Sequence, residues 1–228
     1  ITVMPRISFS FPISDEALFF AHYDVLSKRP SFSNNFDPMD YLFFITRAGD
    51  MINSPNLRPE KTIDYELGFQ QRLSSSSALR LTAFYKEMRD MQQAVMVVGA
   101  FPLDYMTYGN IDFGTVKGFT ATYDMRRTGN VSLRTSYTLQ FANGTGSNVN
   151  DAVSILRSEQ PNLRTTIPLN FDQRHALVAT VDFRFAGGQN YNGPKSLKKI
   201  LSNAGVNTVL RFGTGSPYTK RSIIGNTI

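Results

Sequence analysis

The sequence predicts an all-β protein, an antiparallel up-and-down transmembrane β-barrel portion of about eight strands, with short turns at one rim and long loops at the other. Three observations carry this expectation. Eight segments of the 228-residue chain alternate polar and apolar residues at period two, and little of it has helical period. The connections between those segments run short, long, short, long. The sixth and seventh segments extend to about 10 or 11 residues, longer than the usual strand and suited to crossing a bilayer at a tilt.

Each segment has its own pattern. In residues 6–11, Ile7, Phe9 and Phe11 alternate with Arg6, Ser8 and Ser10. The second segment is 17–26. In the third, 62–73, Ile63, Tyr65, Leu67 and Phe69 oppose Asp64, Glu66, Gly68 and Gln70. In 79–86, Leu79, Leu81, Ala83 and Tyr85 oppose Arg80, Thr82, Phe84 and Lys86. In 116–126, Phe119, Ala121, Tyr123 and Met125 oppose Thr120, Thr122 and Asp124. The sixth, 131–141, sets Val131, Leu133, Tyr137, Leu139 and Phe141 against Ser132, Arg134, Ser136, Thr138 and Gln140. The seventh sets Leu177, Ala179, Val181, Phe183 and Phe185 against Thr180, Asp182 and Arg184. The eighth sets Val206, Leu210 and Phe212 against Asn207 and Arg211.

Short connections fall around Ser14-Asp15-Glu16, at 74–77, and at Thr128-Gly129-Asn130, where Gly and Asn tolerate the positive φ of a tight hairpin. Long ones fall at roughly 28–61, 88–113 and 142–173. Their segregation to one rim is the pattern of outer-membrane barrels, and loops of this length are uncommon in compact soluble domains. One connection breaks the order. Residues 187–203, with Lys195, Lys198 and Lys199, read as a solvated basic turn, although "PKSLKKIL" also fits one or two turns of helix with Pro194 near its start.

Parity alone does not choose between a membrane wall and a soluble sheet. Asp64, Glu66, Arg80, Lys86, Arg134, Asp182, Arg184 and Arg211 share the polar parity, and Arg or Lys facing hydrocarbon at the midplane costs roughly 2–4 kcal/mol each. These eight are therefore expected to line a wet lumen. Aromatics near strand ends (Tyr123, Phe141, Phe183, Phe185, Phe212) fit interfacial girdles, and core packing is the alternative.

The chain carries 24 Lys and Arg against 18 Asp and Glu, a net charge of +6, but its cations are scattered, which does not point to nucleic acid. It has no Cys, so no disulfide framework and no thiolate metal site. No apolar run reaches the ~18 residues of a spanning helix. The chain does not begin with Met and reads as a start in mid-protein.

One stretch is more specific. "NSPNLRPEKTIDYELGFQQRL", residues 53–73, resembles the barrel signature of TonB-dependent outer-membrane receptors. Pro55, Asn56, Leu57, Arg58, Pro59, Glu60, Lys61 and Thr62 match the loop end, and Tyr65, Glu66, Leu67 and Gly68 match the strand that follows. "LRLTAFYKEMRDM" resembles the family's next strand, and "YGNIDFGTVKGFTATYD" its return, with Asn110, Gly114, Lys117 and Gly118. "FDQRHALVATVDFRF" and "GVNTVLRFGTGSPYT" resemble later strands of Bacteroidetes-type members. The resemblance implies a barrel of about 22 strands around a plug, importing an iron chelate, vitamin, oligosaccharide or peptide with TonB-supplied energy. It implies outer-membrane lipid, the plug domain of the same chain and the TonB complex as partners, with a surface lipoprotein as a further candidate, and the cell outer membrane as the location. Residues 1–228 would be a portion of the wall with no plug region, and "SPYTKRSIIGNTI" would open another outer loop. Two other readings stand beside it: a receptor-like barrel used as a scaffold in a larger outer-membrane complex, and a soluble β-sandwich binding module.

No cofactor, metal centre or catalytic motif is expected. His22 and His175 fall in strands, Asp172 near His175 is the one nearby pair, and Asp37, Asp40 and Asp50 match no known Ca²⁺ loop spacing. Two long connections are unusually apolar, 36–52 and 91–109. From these, Tyr41, Phe43, Phe44, Tyr105 and Tyr108 are the candidate ligand-binding residues, with loop-on-loop packing as the alternative.

Overall fold

A computed structural model describes residues 2–31, 37–46, 49–158, 160 and 163–218. Its strands are β1 (Arg6–Pro12), β2 (Ala17–Lys28), β3 (Met51–Ile52), β4 (Glu60–Arg72), β5 (Ser77–Val97), β6 (Tyr105–Thr128), β7 (Val131–Gly144), β8 (Ile167–Pro168), β9 (His175–Arg184) and β10 (Gly205–Gly213). All belong to one sheet in the order β1-β2-β4-β5-β6-β7-β9-β10, with each neighbour along that path antiparallel. The eight predicted segments are these eight strands. β3 and β8 are two-residue additions that pair with β6 and β7.

The sheet is an open barrel wall. β1 pairs only with β2 and β10 only with β9, so the sheet does not close among the described residues. The chain exposes 15680 Å², whereas a compact monomer of this mass exposes about 10,000 Å². A sandwich requires a second sheet about 10 Å from the first. Every described strand lies in the same sheet, which removes the soluble-sandwich reading.

Antiparallel pairing places direct partners on the same face. Rows such as Asp24–Asp64–Lys86 and Tyr23–Tyr65–Tyr85 run across β2, β4 and β5. One face carries the apolar parity: Phe9, Ala21, Leu67, Leu81, Phe119, Tyr137 and their neighbours. The other carries the polar parity. Large apolar side chains on the first face stay exposed, with Ile7 at 62% and Leu67 at 56%. The compact apolar cluster lies instead at the long-loop end of the polar face, where Val116, Ala142 and Leu169 are buried against Phe84 and Met88.

The second long connection is not a loop. β5 and β6 continue as a paired hairpin from Met91–Asp112 to Val97–Tyr105, leaving only 98–104 as the turn. The register slips at Met88, Met91 and Gln92, with Asp90 at φ 56°. That bulge breaks the period-two signal, so the continuation reads as irregular in sequence. Gln93 and Ala94 are buried beneath the third long connection, where Ala94 N donates to Val149 O at 2.9 Å.

Glycine is required where strands carry rings over their neighbours. At Gly118 a Cβ would lie 2.1 Å from Leu139 O and 2.8 Å from Phe84 Cζ. At Gly68 it would lie 2.0 Å from Phe20 Cζ. A phenyl ring can swing, but a paired strand's carbonyl cannot. Gly118→Ala is expected to destabilise the folded barrel by about 1–3 kcal/mol, read as a lowered urea midpoint of the detergent-folded full protein. An unchanged midpoint would contradict the close approach of β6 and β7.

Candidate functional site

The polar face is built by register. Asp64, Glu66, Arg80, Lys86, Arg134, Asp182, Arg184 and Arg211 all lie on it, because the pairings 66–84–118–140 and 80–122–136–178–211 chain one parity from β4 to β10. Lys86 Nζ donates to Asp64 Oδ2 at 2.6 Å. Two strands away Arg6 pairs with Asp24 at 2.8 Å. One row thus reads cation, anion, anion, cation across β1, β2, β4 and β5, with Asp64 Oδ1 buried and without a hydrogen-bond partner. Arg80 makes two bonds to Gln70 Oε1, at 3.1 and 2.7 Å, and stands over the Phe20 ring. Arg134 Nε is 3.2 Å from Asp124, and Asp182 is held by Arg127 and, at 3.9 Å, by Arg184. Glu66 lines a hollow of about 440 Å³ with Thr62, Phe84, Lys86, Val116 and Gln140. Hydroxyl pairs, Thr120 with Thr138 and Thr122 with Ser136, complete a wall of polar groups.

The sequence placed Arg6 and Asp124 on the polar parity without counting them among the lumen candidates, and it did not name Asp24, which shares that parity, or Arg127. Their cross-strand pairing depends on register, which no single strand contains.

The opposite face carries a band free of charge. On β4, Ile63, Tyr65, Leu67 and Phe69 fill the apolar parity between Lys61 and Gln71. On β5, Leu79 to Tyr85 fill it up to Glu87. On β6, Phe119 to Met125 fill it from Lys117 onward. Tyr23, Tyr65 and Tyr85 form a ladder near the long-loop end, with ring centroids 5.3 and 6.2 Å apart. The predicted girdle residues Tyr123, Phe141 and Phe183 fall on this face, as does Phe212 of β10.

The five loop candidates come together. A short helix, α1 (Pro38–Leu42), starts with Pro38 in its first turn and Asp37 as N-cap, accepting from Met39 N at 2.9 Å. Tyr41 Oη donates to Asn53 O at 2.9 Å, and Asn53 N donates to Asp40 Oδ2 at 3.3 Å. Phe44 meets Tyr105 edge-on at 5.1 Å. Tyr41, Phe43, Phe44, Ile45 and Pro102 line a hollow of about 510 Å³. Tyr105 and Tyr108, expected in a loop, are residues of the β6 extension, close enough to α1 for Tyr105 to act on Tyr41 and Asp40 on Tyr108. Burial raises the Tyr41 phenol above its ordinary pKa, with Tyr105 and Asp40 adding to it; burial and then Asp40 do the same for Tyr108. Asn53 is 2% exposed, yet its side-chain N and O have no partner.

The remaining polar candidates have structural partners. His175 Nδ1 is 2.8 Å from Tyr137 Oη, and Asp172 accepts from Ala142 N at 2.8 Å and from Arg174 Nε at 2.8 Å, so Asp172 and His175 do not pair with one another. His22 is 2.8 Å from Ser8 Oγ. Asp37 and Asp40 serve α1 and Asn53, and among the described residues no three His or acidic side chains gather as metal ligands.

A single-sheet wall, apolar on one face and ion-paired on the other, with the β2–β4, β5–β6 and β7–β9 connections at one rim, defines part of a large β-barrel. Residues 2–221 match the family model of the TonB dependent receptor-like β-barrel, and the chain belongs to that family. Solved structures agree in fold. The pyoverdine outer membrane receptor FpvA from Pseudomonas aeruginosa, bound to pyoverdine, superposes at TM-score 0.53 with 14% identity, covering 81% of this chain and 22% of that one. The outer membrane transporter YddB from Escherichia coli gives 0.54, 10%, 77% and 26%. The FrpB iron transporter from Neisseria meningitidis gives 0.50, 15%, 82% and 25%. The chain therefore spans about a fifth to a quarter of their length. No curated protein matches it.

The raised phenols give the loop cluster a pH dependence. A phenol whose folded pKa exceeds its unfolded value near 10 contributes stability that is complete below pH 10 and is lost as pH rises through the folded value. The packing of α1 on β6 is expected to hold at neutral pH and loosen only above pH 10, read as the onset of protease cleavage within residues 37–53. Cleavage that begins at pH 8 would contradict it. Tyr41→Phe removes the bond to Asn53 O and should cost about 1 kcal/mol of that packing.

Proposed function

We propose that residues 1–228 form part of the wall of a TonB-dependent outer-membrane receptor, which takes up a ligand rather than transforming it chemically. The observation that carries this reading is the partition of the two faces. The eight charged residues named above fall on one face together with Arg6, Asp24 and Asp124, while on the other the apolar rows leave Tyr65, Leu67, Phe69, Leu81, Tyr85 and Phe119 exposed. A soluble sheet has no use for so much bare apolar surface. On β4 the uncharged band from Lys61 to Gln71, at about 3.4 Å per residue and a tilt near 45°, spans about 24 Å, close to the ~25 Å apolar band of outer-membrane barrels.

In this reading the apolar face meets outer-membrane lipid, and Asp64, Glu66, Arg80, Lys86, Arg134, Asp182, Arg184 and Arg211 line the lumen. The remaining strands and a plug domain belong to the same protein, because open sheet edges in hydrocarbon leave backbone groups unsatisfied. Tyr41, Phe43, Phe44, Tyr105 and Tyr108 sit at the long-loop rim, where an aromatic hollow beside a buried, unpartnered amide can capture a ligand. Passage then follows plug rearrangement, with energy supplied through the TonB complex. The 14% identical FpvA structure holds pyoverdine; the ligand class here is any that fits an aromatic, uncharged entrance.

A second reading is favoured by one observation. The tip of the β5–β6 hairpin bares Val98 at 77% and Phe101 at 97%, a surface suited to a lipoprotein or another envelope component. In that case the barrel serves as a scaffold and imports nothing.

Two measurements test the proposal. Leu67→Arg should cost roughly 2–4 kcal/mol of barrel stability in lipid, whereas Val178→Glu, which faces Arg211 on the polar side, should stay within about 0.5 kcal/mol. Equal costs would sink the assignment of faces. Deleting the TonB-contacting segment from the full-length protein should abolish ligand uptake by cells, and undiminished uptake would leave the scaffold reading standing.

A further inference from the structure

The connection between β9 and β10 is the long one at the rim where its counterparts are tight turns. It is tied to the wall by rings. Phe183 and Phe185 meet edge-on at 5.0 Å, and Phe185 meets Tyr191 at 6.0 Å. Gly193 is packed so closely that a Cβ there would lie 2.4 Å from Tyr191 Oη and 2.8 Å from Phe185 Cδ1. Phe183 belongs to the apolar parity of β9, so the first half of the connection folds against the apolar side of the wall. A backbone bond from Phe185 N to Ala204 O and a bond from Ala186 N to the side-chain Oδ1 of Asn192 close its base.

Its second half is a 3-10 turn (Lys195–Leu197) running into a single α-helical turn, α2 (Lys198–Leu201). By i, i+3, i+4 spacing, Leu197, Ile200 and Leu201 group on one side and Lys195, Lys198 and Lys199 on another. Leu197 is 44% exposed, Ile200 is 75% exposed, and all three lysines are exposed. The sequence holds no Asp or Glu after Asp182, and Asp182 is already engaged by Arg127 and Arg184. A solvated basic turn accounts for the lysines. It does not account for two bare aliphatic side chains beside them, in a connection whose first half stacks Phe185 and Tyr191 next to Phe183 and whose Tyr191 Oη donates to Pro194 O at 3.1 Å.

We infer that this connection is an anchor for anionic phospholipid at the short-turn rim. Leu197, Ile200 and Leu201 enter the boundary between headgroups and acyl chains, and the three lysines reach back to the phosphates. The inference rests on the reading of the apolar face as lipid-facing. It goes beyond that reading by giving one connection a lipid specificity, and by fixing the depth of the rim on the β9–β10 side.

The test uses the full-length protein in phosphatidylcholine vesicles with and without phosphatidylglycerol. An environment-sensitive fluorophore is placed at Ile200→Cys or, as a control, at Leu81→Cys in the middle of the apolar band of β5. Nitroxide-labelled lipids should quench both probes, and aqueous iodide should quench neither. Nitroxide-labelled phosphatidylglycerol should quench the Ile200 probe in preference to labelled phosphatidylcholine. That preference should fall about fivefold for each lysine changed to Gln and be abolished in K195Q/K198Q/K199Q, with the Leu81 probe unchanged as the sign of a folded barrel. If the Leu81 probe is lipid-quenched while the Ile200 probe is open to iodide, the anchor is wrong and the membrane reading survives. If iodide reaches both, the membrane reading fails and takes the anchor with it. If the Ile200 probe is shielded from iodide and from lipid alike, a protein covers the connection and the anchor is overturned.

Discussion

Cross-strand register holds this wall together. Asp24, Asp64 and Lys86 stand abreast on one face of β2, β4 and β5, and Tyr23, Tyr65 and Tyr85 stand abreast on the other. A slip of one residue in any strand sends every side chain to the opposite face. It would carry Lys86 into the tyrosine ladder and Tyr85 against Asp64. The pairing of Lys86 with Asp64 and of Arg6 with Asp24 therefore matters less as binding energy, which is modest for half-exposed pairs, than as a constraint on which alignments are tolerable. Gly118, packed under Phe84 and against Leu139 O, adds a steric version of the same constraint between β6 and β7.

The division of labour along each strand follows from that register. The middle of the sheet is uncharged on one face and ion-paired on the other. Toward the long-loop end the alternation gives way. The bulge at Met88 to Gln92 lets β5 and β6 extend as a hairpin, and the third long connection folds back over the polar face to bury Leu169 against Val116 and Ala142. Asp172 secures that fold-back by accepting from Ala142 N where β9 no longer pairs with β7. The aromatic cluster of α1 and β6 rests on this framework. Its rings are positioned by a strand and a capped helix, not by loops alone, so the cluster has a defined shape.

Much of this was legible in the sequence because period two is a strong signal. All eight strands of the main path, the short turns and the shared parity of Asp64, Glu66, Arg80, Lys86, Arg134, Asp182, Arg184 and Arg211 follow from alternation alone. Residues 91–109 did not follow, because a bulge resets the phase and residues such as Gln93 are buried by a distant segment, with Gln93 Oε1 accepting from Ala152 N. The meeting of Phe44 with Tyr105 was equally hidden, since it joins residues on either side of β4 and β5. Sequence marked those aromatics as out of place in exposed loops, and the structure supplies what they pack against. The basic connection at 195–201 was ambiguous because a single turn carries too few residues for a periodicity to stand out.

The central claim is that the two faces of one sheet meet two different solvents. A cysteine scan along β4, from Thr62 to Gln71, in the full-length protein in native membranes tests it most directly, with a water-soluble maleimide as the probe. The account predicts that positions 62, 64, 66, 68 and 70 react, apart from local shielding by Phe20 at 68, while 63, 65, 67 and 69 do not. Reaction without a two-residue alternation, or with the opposite phase, would contradict it.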